Sequence, residues 1–493
     1  MALSIVLFRR QTERDGKQQD VCLIILHELR GRMTLAMDKF EKLRPVGHLE
    51  KYSTARHPLG YYYNVAFTTN YTIPEAFTLP LKDYVYKAID ILIQQHPSLS
   101  AIPQDEESEA PYFVRLPEID LAEQVSFQRR ATGISDSELE AFLQTQHDAG
   151  FSPPSPYWRL IIFTNNTNVR HFTAIFVYHH ALGDGTSGKA FHQTFLHALR
   201  CTASLQPGEA RQVIPSPKTT LLPNLEIAHP LGLPVSVPYL LKMLFKEFVF
   251  SKEDPKLWAG GAFQLPLKTQ LRIVVLGPTQ TSAIVKVCRE HKTTVTCALQ
   301  TAIARSLFPH LPERYVRVIC SGAISSRPWL PENITDLSMG VWVQEFFEHY
   351  TRKAVTQESF PWDEAKRSRQ TILKELKLKG KNTSVGLLKF VKNYRRDLLE
   401  SKIGKPRKTA YEVSNLGVLK TEKSEDPSIP QIGRVIFSQS AGVTGSAIEV
   451  SVITGADGSL ALGISWQTNV VDDQLMQAMI DTLKKELHQL SDQ

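Results

Sequence analysis

At 493 residues, with 42% hydrophobic and 22% charged content, the chain has the balance of a folded globular protein, not a fibrous or disordered one, and two lobes are expected at this length. The formal charge of +7 is concentrated: Lys366 to Lys408 carries fifteen Lys/Arg against Glu375, Asp397 and Glu400, and with no binding motif beside it this basicity argues against nucleic acid. Five scattered cysteines (Cys22, Cys201, Cys288, Cys297 and Cys320) form no CxxC pair, which argues against a disulfide framework or structural zinc site and suits a reducing compartment.

Leu3 to Phe8 is apolar but precedes Arg9-Arg10, the reverse of signal-peptide order, and Val21 to Leu26 is too short to span a bilayer. Residues 1–36 are therefore expected to be a poorly ordered extension or a mis-assigned start. A first lobe is expected over 37–205. Tyr61 to Thr69 is an aromatic-rich strand candidate. Leu81 to Gln95 places Val85, Ala88, Ile89 and Leu92 at helical spacing and stops before His96-Pro97, after which Ser98 to Ile102 reads as a strand. Asp105 to Ala110 is an acidic turn. Ser135 to Asp148 predicts a helix, with Asp136 and Glu138 in the first turn where the dipole favours them. Tyr157 to Thr164 is a strand joined through Asn165 to Asn168 to a second strand, His171 to Tyr178, whose two faces are both apolar, as in a central strand.

That strand runs into His179-His180-Ala181-Leu182-Gly183-Asp184-Gly185, and Thr186 to Leu199 then follows with Phe191, Phe195 and Ala198 on one helical face. The two histidines thus lie at a strand-to-helix turn whose glycines are expected to adopt backbone angles closed to other residues. Imidazole there suits general base catalysis, since its ordinary pKa of about 6.5 lets it accept a proton near neutrality. Asp184 would either orient a ring or anchor the turn. A metal held by His179, His180 and Asp184 would need ligands the motif does not supply. A nucleophile elbow is absent.

Prolines crowd residues 206–266, which suits an interlobe connection. Within it, Val237 to Phe250 is strongly apolar, and reads either as a helix packed on the protein or as a lid or interfacial anchor, too short to cross a membrane. The second lobe, 267–493, opens with a strand at Gln270 to Leu276 and helices over Thr279 to His291 and from Thr294 or Thr296 to Leu307. Val316 to Ser321 is a strand ending near Arg327. Tyr411 to Val413 and Val435 to Ser438 are strands, Ser446 to Thr454 and Leu460 to Gln467 form a hairpin, and Asp472 to Leu490 is a closing amphipathic helix. The basic run Lys366 to Lys408 is either a solvated face or an attractor of phosphates or an anionic membrane.

The string from His179 to Gly185 resembles the HHxxxDG signature of the CoA-dependent acyltransferases, a superfamily that includes chloramphenicol acetyltransferase, peptide-synthetase condensation domains and alcohol acetyltransferases. Arg44 to Tyr52 with Leu59 to Val65 resembles the opening of fungal alcohol acetyltransferases. Ser414-Asn415-Leu416-Gly417 and Phe437 to Gly442 are similar to the same family, so the likeness spans Met37 to the C-terminus. The DFGWG motif of plant acyltransferases is missing, which sets that subfamily apart.

The resemblance implies an α/β (α+β) fold of two chloramphenicol-acetyltransferase-like lobes, each a mixed β-sheet backed by helices, with the active site in a channel between them. It implies His180 as general base and Asp184 turned away from the ring, held by Arg327, although a solvated surface role for Arg327 stays open on spacing alone. His179 and Gly185 would support the turn. Asn415, Ser440 or a backbone N–H are candidate oxyanion donors. Acetyl-CoA, or another acyl-CoA, would be a co-substrate, with no permanently bound cofactor and no metal, and a small alcohol the acceptor. The expected reaction is direct O-acetyl transfer in a ternary complex, by a cytoplasmic monomer, with peripheral contact to the endoplasmic reticulum or lipid droplets as a variant. A carrier-protein thioester as donor and a non-catalytic binding protein of the same fold are the alternatives.

Overall fold

The computed structural model describes residues 40–166, 170–249, 254–421, 426 and 428–493. The chain divides into two compact units, Met1–Glu41 and Lys42–Gln493, of which the second holds both large sheets and their helices. The extension expected over 1–36 lies outside the described residues.

The strands of the two large sheets are, in chain order, β1 (Val65–Thr72), β2 (Val125–Arg130), β3 (Trp158–Asn165), β4 (His171–Tyr178), β5 (Thr269–Leu276), β6 (Arg317–Ser325), β7 (Val343–Thr351), β8 (Tyr411–Val418), β9 (Gln431–Gln439), β10 (Ile448–Thr454) and β11 (Leu460–Gln467). The helices that matter here are α1 (His48–Arg56), α2 (Leu81–Gln95), α3 (Asp136–His147), α4 (Gly185–Cys201), α5 (Val237–Val249), α6 (Pro278–Glu290), α7 (Val295–Leu307) and α8 (Asp473–Ser491). A five-stranded sheet has the order β9-β1-β4-β3-β2 and a six-stranded sheet the order β5-β11-β10-β8-β6-β7. Both are mixed and both are backed by helices, giving a two-lobed α/β architecture.

β4 is central because both its faces are covered, and its neighbours β1 and β3 both pair with it antiparallel. On one face Phe176 stacks on Phe191 of α4, with ring centroids 3.6 Å apart. On the other, Ile175 and Val177 join a cluster with Leu139 and Leu143 of α3 and Leu271 of β5. In the second sheet Val413, Val450 and Leu462 pack with Cys297 and Ile303 of α7 and Met479 and Leu483 of α8. Each such buried side chain contributes about 1.5–3 kcal/mol, enough in sum to fix the sheet against its helices.

Local signals place the helix starts. Ser135 caps α3 with a reciprocal bond to Glu138, Thr294 caps α7, and Asp472 caps α8. Several strand expectations shift. The first strand begins at Val65, not Tyr61, because Gly60 turns the chain at φ +68° and the Asn64 side chain donates to the carbonyls of Gln146 and Ala149 at the end of α3. Pro97 opens a short 3-10 turn, so the strand expected from Ser98 starts at Ala101. β6 runs on to Ser325, and β8 continues through Ser414 to Val418. β9, longer than expected, leaves the second lobe's sequence to pair with β1, Phe437 opposite Phe67. Residues 167–169 of the β3–β4 connection and Phe250 lie outside the described residues.

α5 leaves its apolar residues Val237, Leu241, Leu244 and Phe245 exposed, so the described residues do not cover this stripe. Among the described residues no helix is long and apolar enough to cross a membrane.

Candidate active site

Tyr178 ends β4 and Asp184 caps α4, so the intervening turn carries both histidines. The Asp184 carboxylate is spent on holding that turn. Its Oδ1 accepts from Ser187 N at 3.1 Å and Arg327 Nη2 at 3.0 Å, and its Oδ2 accepts from Arg327 Nη1 at 2.8 Å and Trp342 N at 3.0 Å. Tyr178 Oη donates to the Asp184 carbonyl at 2.7 Å. Arg327 itself is buried and donates further to the carbonyls of Thr335 and Ser338. Burial alone would raise the Asp184 carboxyl, but the Arg327 guanidinium holds it below the usual carboxylate range. None of these partners is His180, so the aspartate anchors the turn and orients no ring.

The glycines act differently from expectation. Neither Gly183 nor Gly185 has a positive φ. They are needed for space: a Cβ on Gly183 would stand 2.5 Å from Ser187 Cβ, and one on Gly185 would stand 2.9 Å from Leu416 Cδ2 of β8.

The two histidines part company at once. His179 is 1% exposed, and its Nδ1 accepts from Ala181 N at 3.0 Å, which leaves the proton on Nε2, 3.5 Å from Glu106 Oε1. His57 mirrors it: Nε2 accepts from Phe151 N at 3.0 Å and Nδ1 lies 3.2 Å from Glu106 Oε2, which also accepts from Tyr157 Oη at 3.0 Å. His57, Glu106 and His179 offer ligand atoms within 4.8 Å of one another, and a cation there would displace the His57–Glu106 hydrogen bond. The set reads as a brace with one hydrogen bond from His57 and a longer 3.5 Å approach of His179 to an otherwise unpartnered Glu106 Oε1. Burial, then the neighbouring His57 and His180, push the His179 imidazole far down, so it stays neutral.

His180 as a residue is only partly buried, where His179 is sealed. Its Nδ1 is buried without a hydrogen-bond partner. Its own backbone carbonyl lies near enough to favour a proton on that nitrogen without making a well-formed bond, which would leave the Nε2 lone pair free. Burial, and then the Arg56 guanidinium, push the imidazole down to about 4. The Tyr62 ring stands 5.8 Å away, and Arg56 lies over the rings of Tyr52 and Tyr62.

β8 reaches the start of α4 from the second sheet. Tyr411, Val413 and Asn415 face α7, where Tyr411 Oη donates to Gln300 O and Asn415 Nδ2 donates to Thr296 Oγ1 at 3.0 Å. Glu412, Ser414 and Leu416 therefore face the other way, and Leu416 rests on Gly185. Two expected oxyanion donors are thereby corrected. Asn415 points to the helix side of the sheet, and Ser440 Oγ is fully buried, donating to His147 O at 2.8 Å and accepting from Asn64 N. Ser414, on the same face of the strand as Leu416, has no hydrogen bond to its hydroxyl among the described residues. A cavity of about 380 Å³ backs the turn, lined by Ala181, Leu182, Gln94, Leu222, Ser338 and Trp342.

Sequence reasoning passed over Arg56, His57, Glu106, Glu412, Ser414 and Glu449. One signal was present. The apolar strands β8 and β10 each contain Glu-Val-Ser, at Glu412–Ser414 and Glu449–Ser451, and the three residues pair one for one. Polar residues at alternate positions of buried central strands mark a face that lines a space instead of a core.

The alcohol acetyltransferase family pattern matches residues 45–487. A probable alcohol acetyltransferase of Aspergillus fumigatus, crmB, is 36% identical over 455 residues, covering 87% of this chain and 96% of its own length. A second probable alcohol acetyltransferase, FCK4 of Fusarium pseudograminearum, is 26% identical over 90% of this chain and 94% of its own. Among solved structures, the trichothecene 15-O-acetyltransferase TRI3 of Fusarium sporotrichioides superimposes with a TM-score of 0.69 at 15% identity, covering 91% of this chain and 94% of that one. The first condensation domain of a calcium-dependent antibiotic synthetase gives a TM-score of 0.61 at 15% identity, over 92% of this chain and 97% of that one. These two share the two-lobed fold. With a family pattern spanning nearly the whole described unit, a relative at better than one residue in three, and the HHxxxDG turn braced by Arg327, the chain belongs to the alcohol acetyltransferase family and is an acyltransferase.

Proposed function

We propose that the protein transfers an acetyl group from acetyl-CoA to an alcohol hydroxyl in a single ternary complex, with His180 as the general base. The observation that carries this reading is the isolation of His180: it alone of the paired histidines is not fully buried, and no carboxylate is bonded to its ring. A thioester is already an activated acyl donor, so placement, proton removal and charge stabilisation suffice. Nε2 of His180 takes the proton as the acceptor oxygen attacks the thioester carbonyl. The tetrahedral oxyanion accepts from Ser414 Oγ. Collapse breaks the C–S bond, and the departing thiolate takes the proton back from the imidazolium, which returns His180 to its starting state. Asp184 and Arg327 keep the turn in place throughout.

Assay of purified protein with free acetyl-CoA and a panel of alcohols tests the donor and the reaction together. Ester formation is expected in wild type and not in His180→Ala. Turnover only with an acyl carrier protein would establish the condensation-type alternative, and no turnover with either donor would favour a binding protein of this fold.

A further inference from the structure

The face of the six-stranded sheet that carries Glu412 is unlike the lining a simple alkanol would need. Ser321 of β6, Glu412 of β8 and Glu449 of β10 stand in one register across the sheet, with Ser465 of β11 next in line. Glu449 is 6% exposed, and its Oε2 has no hydrogen-bond partner; Ser465 Oγ has none either. The other oxygen of Glu449 occupies a niche that glycine makes, because a Cβ on Gly445 would stand 3.0 Å from it and one on Gly442 3.5 Å. Glu412, Arg56 and His180 are each only partly buried, and Arg56 links them: its guanidinium lies over the Tyr62 ring, which stands 5.8 Å from the His180 ring, and its charge acts on His180, Glu412 and Glu449 alike. Leaving a carboxylate oxygen buried and unpaired is costly unless a ligand satisfies it.

We propose that Glu412 and Glu449 form the acceptor-selecting wall and that the acceptor is polyhydroxylated: one hydroxyl is presented to His180 while a second donates to this carboxyl pair. The inference rests on the acyl-transfer reading above. Burial, then repulsion from Glu345, pushes the Glu412 carboxyl up to about 7 against the pull of Arg56 and a hydrogen bond from Ser321, and burial and Glu412 raise Glu449. Near neutrality such a pair retains a proton and offers both an acceptor and a donor. The charged groups that face it are Arg56, beside both carboxyls, Arg407, beside Glu449, and Glu345. Two guanidiniums already at hand disfavour an ammonium ligand, and they leave a neutral hydroxyl as the fitting partner.

A ring series isolates the effect: cyclohexanol, cis-1,2-cyclohexanediol and cis,cis-1,3,5-cyclohexanetriol. With acetyl-CoA, kcat/KM is expected to be at least tenfold higher for the better of the two polyols than for cyclohexanol. In Glu449→Met that ratio collapses toward one, and in the isosteric Glu449→Gln, which keeps a carbonyl acceptor and guards against misfolding, it falls only partly. Calorimetric titration of the same alcohols without donor reads binding directly, and the polyol is expected to bind wild type at least tenfold tighter than Glu449→Met. A ratio near one in wild type, or one unchanged in Glu449→Met, overturns the proposal. If no alcohol is acylated by wild type, the acyl-transfer reading fails, while the titration still decides whether the wall binds polyols.

Discussion

Arg327 and Asp184, 143 residues apart in sequence, meet in a bidentate pair with both side chains nearly sealed from solvent. The pair ties the start of α4 to the segment after β6, and so fixes the His180 turn of one lobe to the other lobe. Removing one partner strands the other charge in a buried site, which costs about 3–5 kcal/mol. Asp184→Ala is therefore expected to lower the urea midpoint sharply and to lose activity with it. A midpoint unchanged from wild type would remove the anchoring role.

His180→Ala should behave in the opposite way. The ring makes no side-chain hydrogen bond that the fold depends on, so the denaturation midpoint is expected to stay near wild type while kcat/KM falls roughly 10²–10⁴-fold, the usual worth of a positioned base. CoA affinity, measured by calorimetry, should hold.

Ser414→Ala probes the oxyanion contact. The hydroxyl has no other partner among the described residues, so its loss disturbs little in the resting protein, yet an oxyanion donor is worth roughly 10²–10³ in kcat. A fall in kcat of that order with KM nearly constant is expected. Asn415→Ala, which releases a bond to Thr296 on the far side of the sheet, should leave kcat within a few fold.

How much of the fold could be read from sequence depended on the range of each interaction. α2 could be read from its 3.6-residue period, α3, α4 and α7 from that period together with a capping side chain, because both signals are local, and β4 could be read because both its faces are apolar. Arg327 was reached only through family likeness, since nothing local links it to Asp184. The pairing of Phe437 with Phe67 was hidden for the same reason, and with it the fact that β9 completes the first sheet. Ser440 looked available because a hydroxyl's partner, here the His147 carbonyl, depends on where the chain returns. Glu412 and Glu449 were legible in principle, as polar residues in two otherwise apolar strands, but only once both strands were known to be central.

Gly188 offers a steric test within α4. A Cβ there would stand 2.2 Å from Phe67 Cδ2, and Phe67 is itself stacked on Phe437 with centroids 4.9 Å apart. Ala in a helix interior ordinarily gains about 1 kcal/mol over Gly. Here overpacking, at about 1–3 kcal/mol, should win, so Gly188→Ala is expected to destabilise. Gly133→Ala, whose Cβ would meet nothing within 4 Å, should stay within about 0.5 kcal/mol of wild type. Equal midpoints for the two variants would show that the β1–β9 junction yields.

The response to acid separates two sets of histidines. Burial holds His96 down to about 4 and His147 and His192 down to about 3. The unfolded chain takes up these protons near pH 6.5, so below that pH it binds more protons than the folded protein. Stability therefore falls as pH drops from about 6.5 toward 3, by on the order of several kcal/mol in sum. Catalysis obeys a different limit. His180 must be neutral to act, and burial with Arg56 places its loss near pH 4; its own backbone carbonyl and Asp184 keep it nearer the ordinary value than His147, which burial and Arg159 both lower. In brief assays, kcat/KM is thus expected to stay level from pH 8 down to about 5, while the denaturation midpoint already declines over the same range. An activity profile that bends at pH 6.5 would mean that an ordinary, well-solvated imidazole carries the proton.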